Sequence, residues 1–129
     1  MPTRVTVVDD DISVRESLES LIRSSGMVVK TFASAEALAS SAQRCMADCF
    51  IFDVSLPGMS GIELNRFLIA AGCRVPVIFI TAHGTDDRAR SSASGDSTIA
   101  YLIKPFSEDE LLDAVQTAWK WKPKADSKN

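Results

Sequence analysis

Cys49-Phe50-Ile51-Phe52-Asp53-Val54-Ser55-Leu56-Pro57-Gly58-Met59-Ser60-Gly61-Ile62-Glu63-Leu64 changes its hydrophobic pattern within a few residues. Its first four residues are apolar without interruption, as in a strand covered on both faces of a parallel sheet. Ser60-x-x-Glu63 then matches a capping box. Leu64, Phe67, Leu68 and Ala71 follow at helical spacing, and Gly72 is placed to end the helix. The stretch therefore predicts a strand and a helix, with an acid, Asp53, at the carboxyl end of the strand.

The same alternation extends in both directions. Arg4–Val8, Val28–Phe32, Val77–Thr81 and Ile99–Ile103 are short and rich in β-branched or aromatic residues. Val28-Val29-Lys30-Thr31-Phe32 is the most polar of them and suits a sheet edge. Ser13-x-x-Glu16 and Ser107-x-x-Glu110 also match capping boxes. Val14, Leu18, Leu21 and Ile22 lie behind the first; Leu111, Leu112, Val115 and Trp119 lie behind the second. A further helix is expected from a Ser34 cap to about Ala42. The segment from Asp86 to about Ser94 has only Ala89 and Ala93 as apolar positions, and its serines compete for backbone hydrogen bonds. A helix there is expected to be short, displaced or partly disordered. Strands alternating with helices in this way predict an α/β fold: a single doubly wound five-stranded parallel sheet flanked by helices.

At 129 residues, 46% of them hydrophobic, the chain can bury one core without a disulfide or structural metal. Seventeen acidic residues against 14 basic ones give a net charge near −3, which offers no basis for nucleic acid as a direct partner. Cys45, Cys49 and Cys73 form no CxxC pair, and His83 is the one histidine, so no Cys/His zinc site is expected. All three cysteines are expected to be free thiols in a reducing compartment. No signal-peptide pattern opens the chain, and no apolar run approaches the ~20 residues of a membrane span. A cytoplasmic location without membrane contact is expected. Residues 122–129 are polar and contain Pro123, as in a tail or the start of a linker.

Ligands of doubly wound sheets bind outside the carboxyl ends of the strands. By that rule the first strand delivers Asp9 and Asp10, the third Asp53, the fourth Thr81 and the fifth Lys104. Each has an ordinary alternative: an Asp-Asp pair caps helices or lies in a solvated loop, with Asp11 itself a candidate cap of the first helix, a strand-end Thr is structural, and Lys-Pro is a common exit from a strand. Together they would place three carboxylates, a hydroxyl and an ammonium in one shallow site. Crowded carboxylates repel, and Mg²⁺, which takes oxygen ligands and phosphate, relieves that repulsion. A remaining carboxylate can attack phosphorus to form an aspartyl phosphate, with Lys104 against the phosphoryl oxygens and Thr81 donating to one of them. Tyr101 by itself reads as a core or rim aromatic. His83 is either a solvated loop residue or one at the mouth of the site. Trp119 and Trp121 are expected to pack the last helix onto the body.

Val7-Val8-Asp9-Asp10-Asp11, Asp53-Val54-Ser55-Leu56-Pro57-Gly58-Met59-Ser60-Gly61, Ile80-Thr81-Ala82-His83 and Lys104-Pro105-Phe106 together resemble the motif set of bacterial two-component response regulator receiver domains. The resemblance spans residues 4–121 and is greatest to receivers that precede a LuxR-type helix-turn-helix domain. It implies the flavodoxin-like strand order 2-1-3-4-5 and a switch phosphorylated on Asp53 by a sensor histidine kinase. It implies Mg²⁺ held directly by Asp10 and Asp53, through water by Asp9, and by the backbone carbonyl of Ser55. Lys104 corresponds to the phosphate-binding lysine; Thr81 and Tyr101 correspond to the hydroxyl–aromatic switch pair. A downstream effector domain or protein would read the switch, and a homodimer on phosphorylation is a possible output. Two other functions stay open on the residues alone. One is a stand-alone phosphohydrolase with an aspartyl-phosphate intermediate. The other is a nucleotide-binding module, disfavoured because neither GxxxxGK[ST] nor GxGxxG follows the first strand.

Overall fold

The computed structural model describes residues 3–82 and 98–121. Five strands, β1 (Arg4–Val8), β2 (Val28–Phe32), β3 (Cys49–Asp53), β4 (Val77–Thr81) and β5 (Thr98–Ile103), form one parallel sheet in the order β2-β1-β3-β4-β5. The helices described are α1 (Ile12–Ser24), α2 (Ala35–Ala39), α3 (Gly61–Ala70) and α4 (Glu108–Lys120). The expected architecture, strand order and edge position of β2 are all present.

Burial follows position in the sheet. β3 and β4 lie inside it and bury every residue, whereas edge strand β2 alternates between exposed and covered positions. Successive side chains of a strand point to opposite faces, and this divides the core in two. Phe50, Phe52, Val77 and Phe79 pack with Leu38, Leu64 and Leu68 on the α2–α3 side. Ile51, Ile78 and Ile80 pack with Leu18, Ile22, Leu111 and Val115 on the α1–α4 side. Each such side chain contributes roughly 1.5–3 kcal/mol by leaving water, so both layers clamp the central strands.

Several local expectations are corrected. α1 is capped by Asp11, whose Oδ1 accepts from Ser13 N at 2.8 Å and Val14 N at 3.4 Å. Ser13 already lies inside the helix, so the Ser13–Glu16 box does not form. The Ser60–Glu63 and Ser107–Glu110 boxes do. α2 ends at Ala39 rather than about Ala42; beyond it the Ser41 hydroxyl accepts from Gln43 N at 3.1 Å, in place of a continuing helix. On α4 the buried face is Leu111, Ala114, Val115 and Ala118, and Trp119 is 64% exposed. One residue past Ala118 turns Trp119 about 100° off the face that meets the sheet.

The expectation of three free thiols is also overturned. Cys45 and Cys73 are joined in a disulfide across 28 residues, with Cα atoms 5.1 Å apart. No local spacing encodes the pair; it arises because the loop entering β3 and the end of α3 lie at the same end of the fold. Cys49 stays free and buried, and burial, with a smaller contribution from the Asp48 charge, pushes its thiol up to about 12. The expectations for the 86–94 helix, His83 and the 122–129 tail lie outside the described residues.

Candidate functional site

Strand register assembles the site. Val8 on β1 is level with Phe52 on β3, so Asp9 and Asp53, one step further along, are neighbours across the sheet edge. Thr81 on β4 is level with Ile103 on β5, so Lys104 emerges beside them. Each polar residue follows an apolar strand, which anchors its backbone while the side chain reaches the end of the sheet.

The Lys104 ammonium bridges two of the acids, with Nζ 3.4 Å from Asp9 Oδ2 and 3.3 Å from Asp53 Oδ2. Oxygens of Asp9, Asp10 and Asp53 all lie within 4.8 Å of one another. Asp9 is fully buried, Asp53 is 5% exposed and Asp10 faces solvent. Backbone donors orient the two buried acids: Asp11 N donates to Asp9 Oδ1 and Ser55 N to Asp53 Oδ1, each at 2.9 Å. Burial raises the Asp9 carboxyl above the usual aspartate value; the Asp11 N–H opposes this, and the nearby Asp53 charge adds to it. Burial alone would lower the Lys104 ammonium, but Asp53 and Asp9 outweigh it and hold the group above the ordinary lysine value.

Three acids against one ammonium, with one acid resisting ionisation, is an oxygen-only donor set short of positive charge. That suits a hard divalent cation, which prefers carboxylate, carbonyl and water oxygens.

Of the other residues expected here, Thr81 is 5% exposed at the end of β4, and its carbonyl accepts from Lys104 N at 2.8 Å. Tyr101 lies back along β5, its ring stacked on Phe79 with centroids 5.5 Å apart. Ser55 is exposed in the loop after β3, and its N–H serves Asp53. The structure thus gathers Asp9, Asp10, Asp53 and Lys104 into direct proximity and places Thr81 and Ser55 on the flanking segments.

Three supporting residues were not singled out from sequence. Arg15, on the first turn of α1, donates from Nη1 to the Asp9 carbonyl at 2.8 Å. Glu36 on α2 accepts from Met59 N at 2.9 Å through Oε2, pinning the loop that follows Asp53. Gly61 opens α3 against the Asp53 backbone, and a Cβ there would lie 2.2 Å from the Asp53 carbonyl oxygen. Only the spacing Asp53–Gly61 was visible in the sequence; the Arg15 and Glu36 contacts depend on how the helices seat on the sheet.

Residues 5–116 match the family model of the response regulator receiver domain. The response regulator protein TmoT of Ectopseudomonas mendocina is 40% identical over 119 residues, which are 92% of this chain and 54% of that protein. Nodulation protein W of Bradyrhizobium diazoefficiens is 41% identical over 114 residues, 88% of this chain and 50% of that protein. The chain therefore spans about half the length of the curated relatives it matches. Among solved structures, FixJ-N superposes with a TM-score of 0.84 at 31% identity, covering 95% of this chain and 98% of that one. The response regulator StyR superposes with a TM-score of 0.80 at 41% identity, covering 93% of this chain and 60% of that one.

Proposed function

Because the chain belongs to the response regulator receiver domain family, we propose that it works as a switch in which Asp53 takes a phosphoryl group from the phosphohistidine of a sensor histidine kinase. An Asp53 carboxylate oxygen attacks phosphorus in line as the P–N bond to the imidazole breaks. Phosphoryl transfer needs little covalent help and depends on positioning and opposed charge. Lys104, already 3.3 Å from Asp53, remains paired with the phosphoryl oxygens once they replace the carboxylate charge. Ser55 N fixes the Asp53 rotamer, leaving one carboxylate oxygen for attack.

Asp9, Asp10, Asp53 and the Ser55 carbonyl would hold Mg²⁺, which supplies positive charge to the crowded acids and to the phosphoryl group. Thr81 donates its hydroxyl to a phosphoryl oxygen. Tyr101, half-buried on Phe79, changes position in response. The readout passes to an effector domain or protein of the kind that would fill the remaining half of the relatives' length, with dimerisation on phosphorylation as one output. Kinase and switch meet in the cytoplasm; among the described residues no helix is long and apolar enough to cross a membrane.

The Lys104 bridge between Asp9 and Asp53 is the observation that favours this function above any other. Intact-mass measurement with acetyl phosphate should show one added phosphoryl group, abolished by chelator and in Asp53→Asn. Equal labelling of that variant sinks the assignment. Sustained turnover of small phosphate esters would instead favour a phosphohydrolase.

A further inference from the structure

We infer that Cys45 and Cys73 form a reversible thiol–disulfide site, exchanging with a small-molecule thiol/disulfide couple of the glutathione type, and that the bond staples the base of the unit whose far end carries Asp53. The chain between them is β3, the loop bearing Ser55 to Ser60, and α3, that is, the complete segment that presents Asp53. The disulfide closes this segment into a loop of 28 residues at the end opposite the acid cluster. The two cysteines differ in exposure: Cys45 is exposed, whereas Cys73 is 3% exposed. The third thiol, Cys49, is fully buried with its ionisation suppressed, so it takes no part.

Access sets the order of steps. In reduction, an external thiolate attacks the Cys45 sulfur; a mixed disulfide forms at Cys45 and Cys73 leaves as thiolate and is protonated. A second external thiolate attacks the external sulfur of that mixed disulfide and frees Cys45. Two external thiols become one disulfide as the protein disulfide becomes two thiols, so atoms and electrons balance. Oxidation is the reverse: a small disulfide loads Cys45, and Cys73 displaces the small thiolate by attacking the Cys45 sulfur. A loop of this length loses enough unfolded-state freedom on closure to shift the unfolding equilibrium by roughly several hundredfold.

The full chain would be equilibrated with glutathione and glutathione disulfide at graded ratios, then acid-quenched, unfolded, alkylated and weighed. Two populations are expected, one with three alkyl groups and one with a single group on Cys49, interconverting with the square of glutathione over its disulfide. Oxidised chain should unfold at higher denaturant than reduced chain, and Cys45→Ser should abolish the difference. Cys73→Ala supplies a second variant with the same expectation. Three alkyl groups at every ratio, a stable glutathione adduct on Cys45 with Cys73 free, or equal stability of the two redox forms would each overturn the inference. Phosphorylation is not a readout here, so failure of Asp53 to label bears on the acceptor role alone.

Discussion

Replacing Gly61 with alanine should damage both stability and phosphorylation, because the new methyl group has nowhere to go. Its Cβ would sit 2.2 Å from the Asp53 carbonyl oxygen, 3.0 Å from the Asp53 carbonyl carbon and 3.3 Å from Phe52 Cβ. Real Cβ contacts essentially never fall below 3.0 Å, so the two backbones must part by at least about 0.8 Å. Neither side yields cheaply. Val54 N is tied to the Ile80 carbonyl at 2.8 Å, and Gly61 N donates to the Val54 carbonyl at 3.3 Å. Overpacking of this kind costs roughly 1–3 kcal/mol. At this size each kcal/mol is worth roughly 3–6 °C, so the melting temperature should drop by roughly 3–18 °C. Asp53 would move with its carbonyl, and a nucleophile misplaced by about 1 Å loses on the order of a hundredfold in rate. Thermal unfolding followed by circular dichroism, and acetyl phosphate labelling followed by intact mass, would measure the two effects. Gly72→Ala is the control: Gly72 has φ +93 but nothing within 4 Å of its Cβ position, so strain should lower stability without slowing labelling. Wild-type melting and labelling in Gly61→Ala would refute the reasoning.

Lys104→Met leaves Asp9 and Asp53 facing each other without the ammonium, at a cost of about 1–3 kcal/mol near neutral pH after allowance for the site's opening to solvent. The Lys104 contribution is fully present below the ordinary lysine value and is lost only as pH rises through its raised one. The folded state favours protonated Asp9, so the variant's deficit should shrink in acid, as Asp9 takes up a proton; a pH-independent deficit in urea titrations would contradict this. Glu36 is held below the usual carboxylate range by the Met59 N–H, so its contribution is present above that range and lost as pH falls through the lowered value. Amide exchange at Met59 should speed up in Glu36→Ala and stay near wild type in Glu36→Gln, which keeps an acceptor; identical exchange in all three would remove Glu36 from the loop's support. Thr81→Ala should still be phosphorylated yet lose most of the conformational response, read as beryllofluoride-induced chemical-shift changes in residues 98–106. Unaltered changes in that variant would deny Thr81 its sensing role.

The order of strands along the chain, the acids and lysine at their ends, and two of the three capping boxes were legible in the residues themselves. Each depends on local period or on side chains within a few positions of one another: the four apolar residues that open β3 and β4 are too short a run for a helix and suit a covered strand, and Ser60 reaches Glu63 within one turn. What the sequence left open depends on how faces meet. Trp119 belongs to the same helical stripe as Val115 on paper, yet Ala114 and Ala118 are small enough to let α4 approach the sheet along their own line, and the large ring is left outside. Asp11 and Ser13 are both good caps, and the choice falls to the residue whose backbone is still extended as it leaves β1. Glu36 meets Met59, and Cys45 meets Cys73, only because α2 and α3 lie on one face of the sheet with the adjoining loops at their two ends. Local composition determines which element a segment becomes and which chemistry its end can offer. Packing in three dimensions decides which of the distant side chains touch, because burial acts on area and shape, which no spacing along the chain encodes.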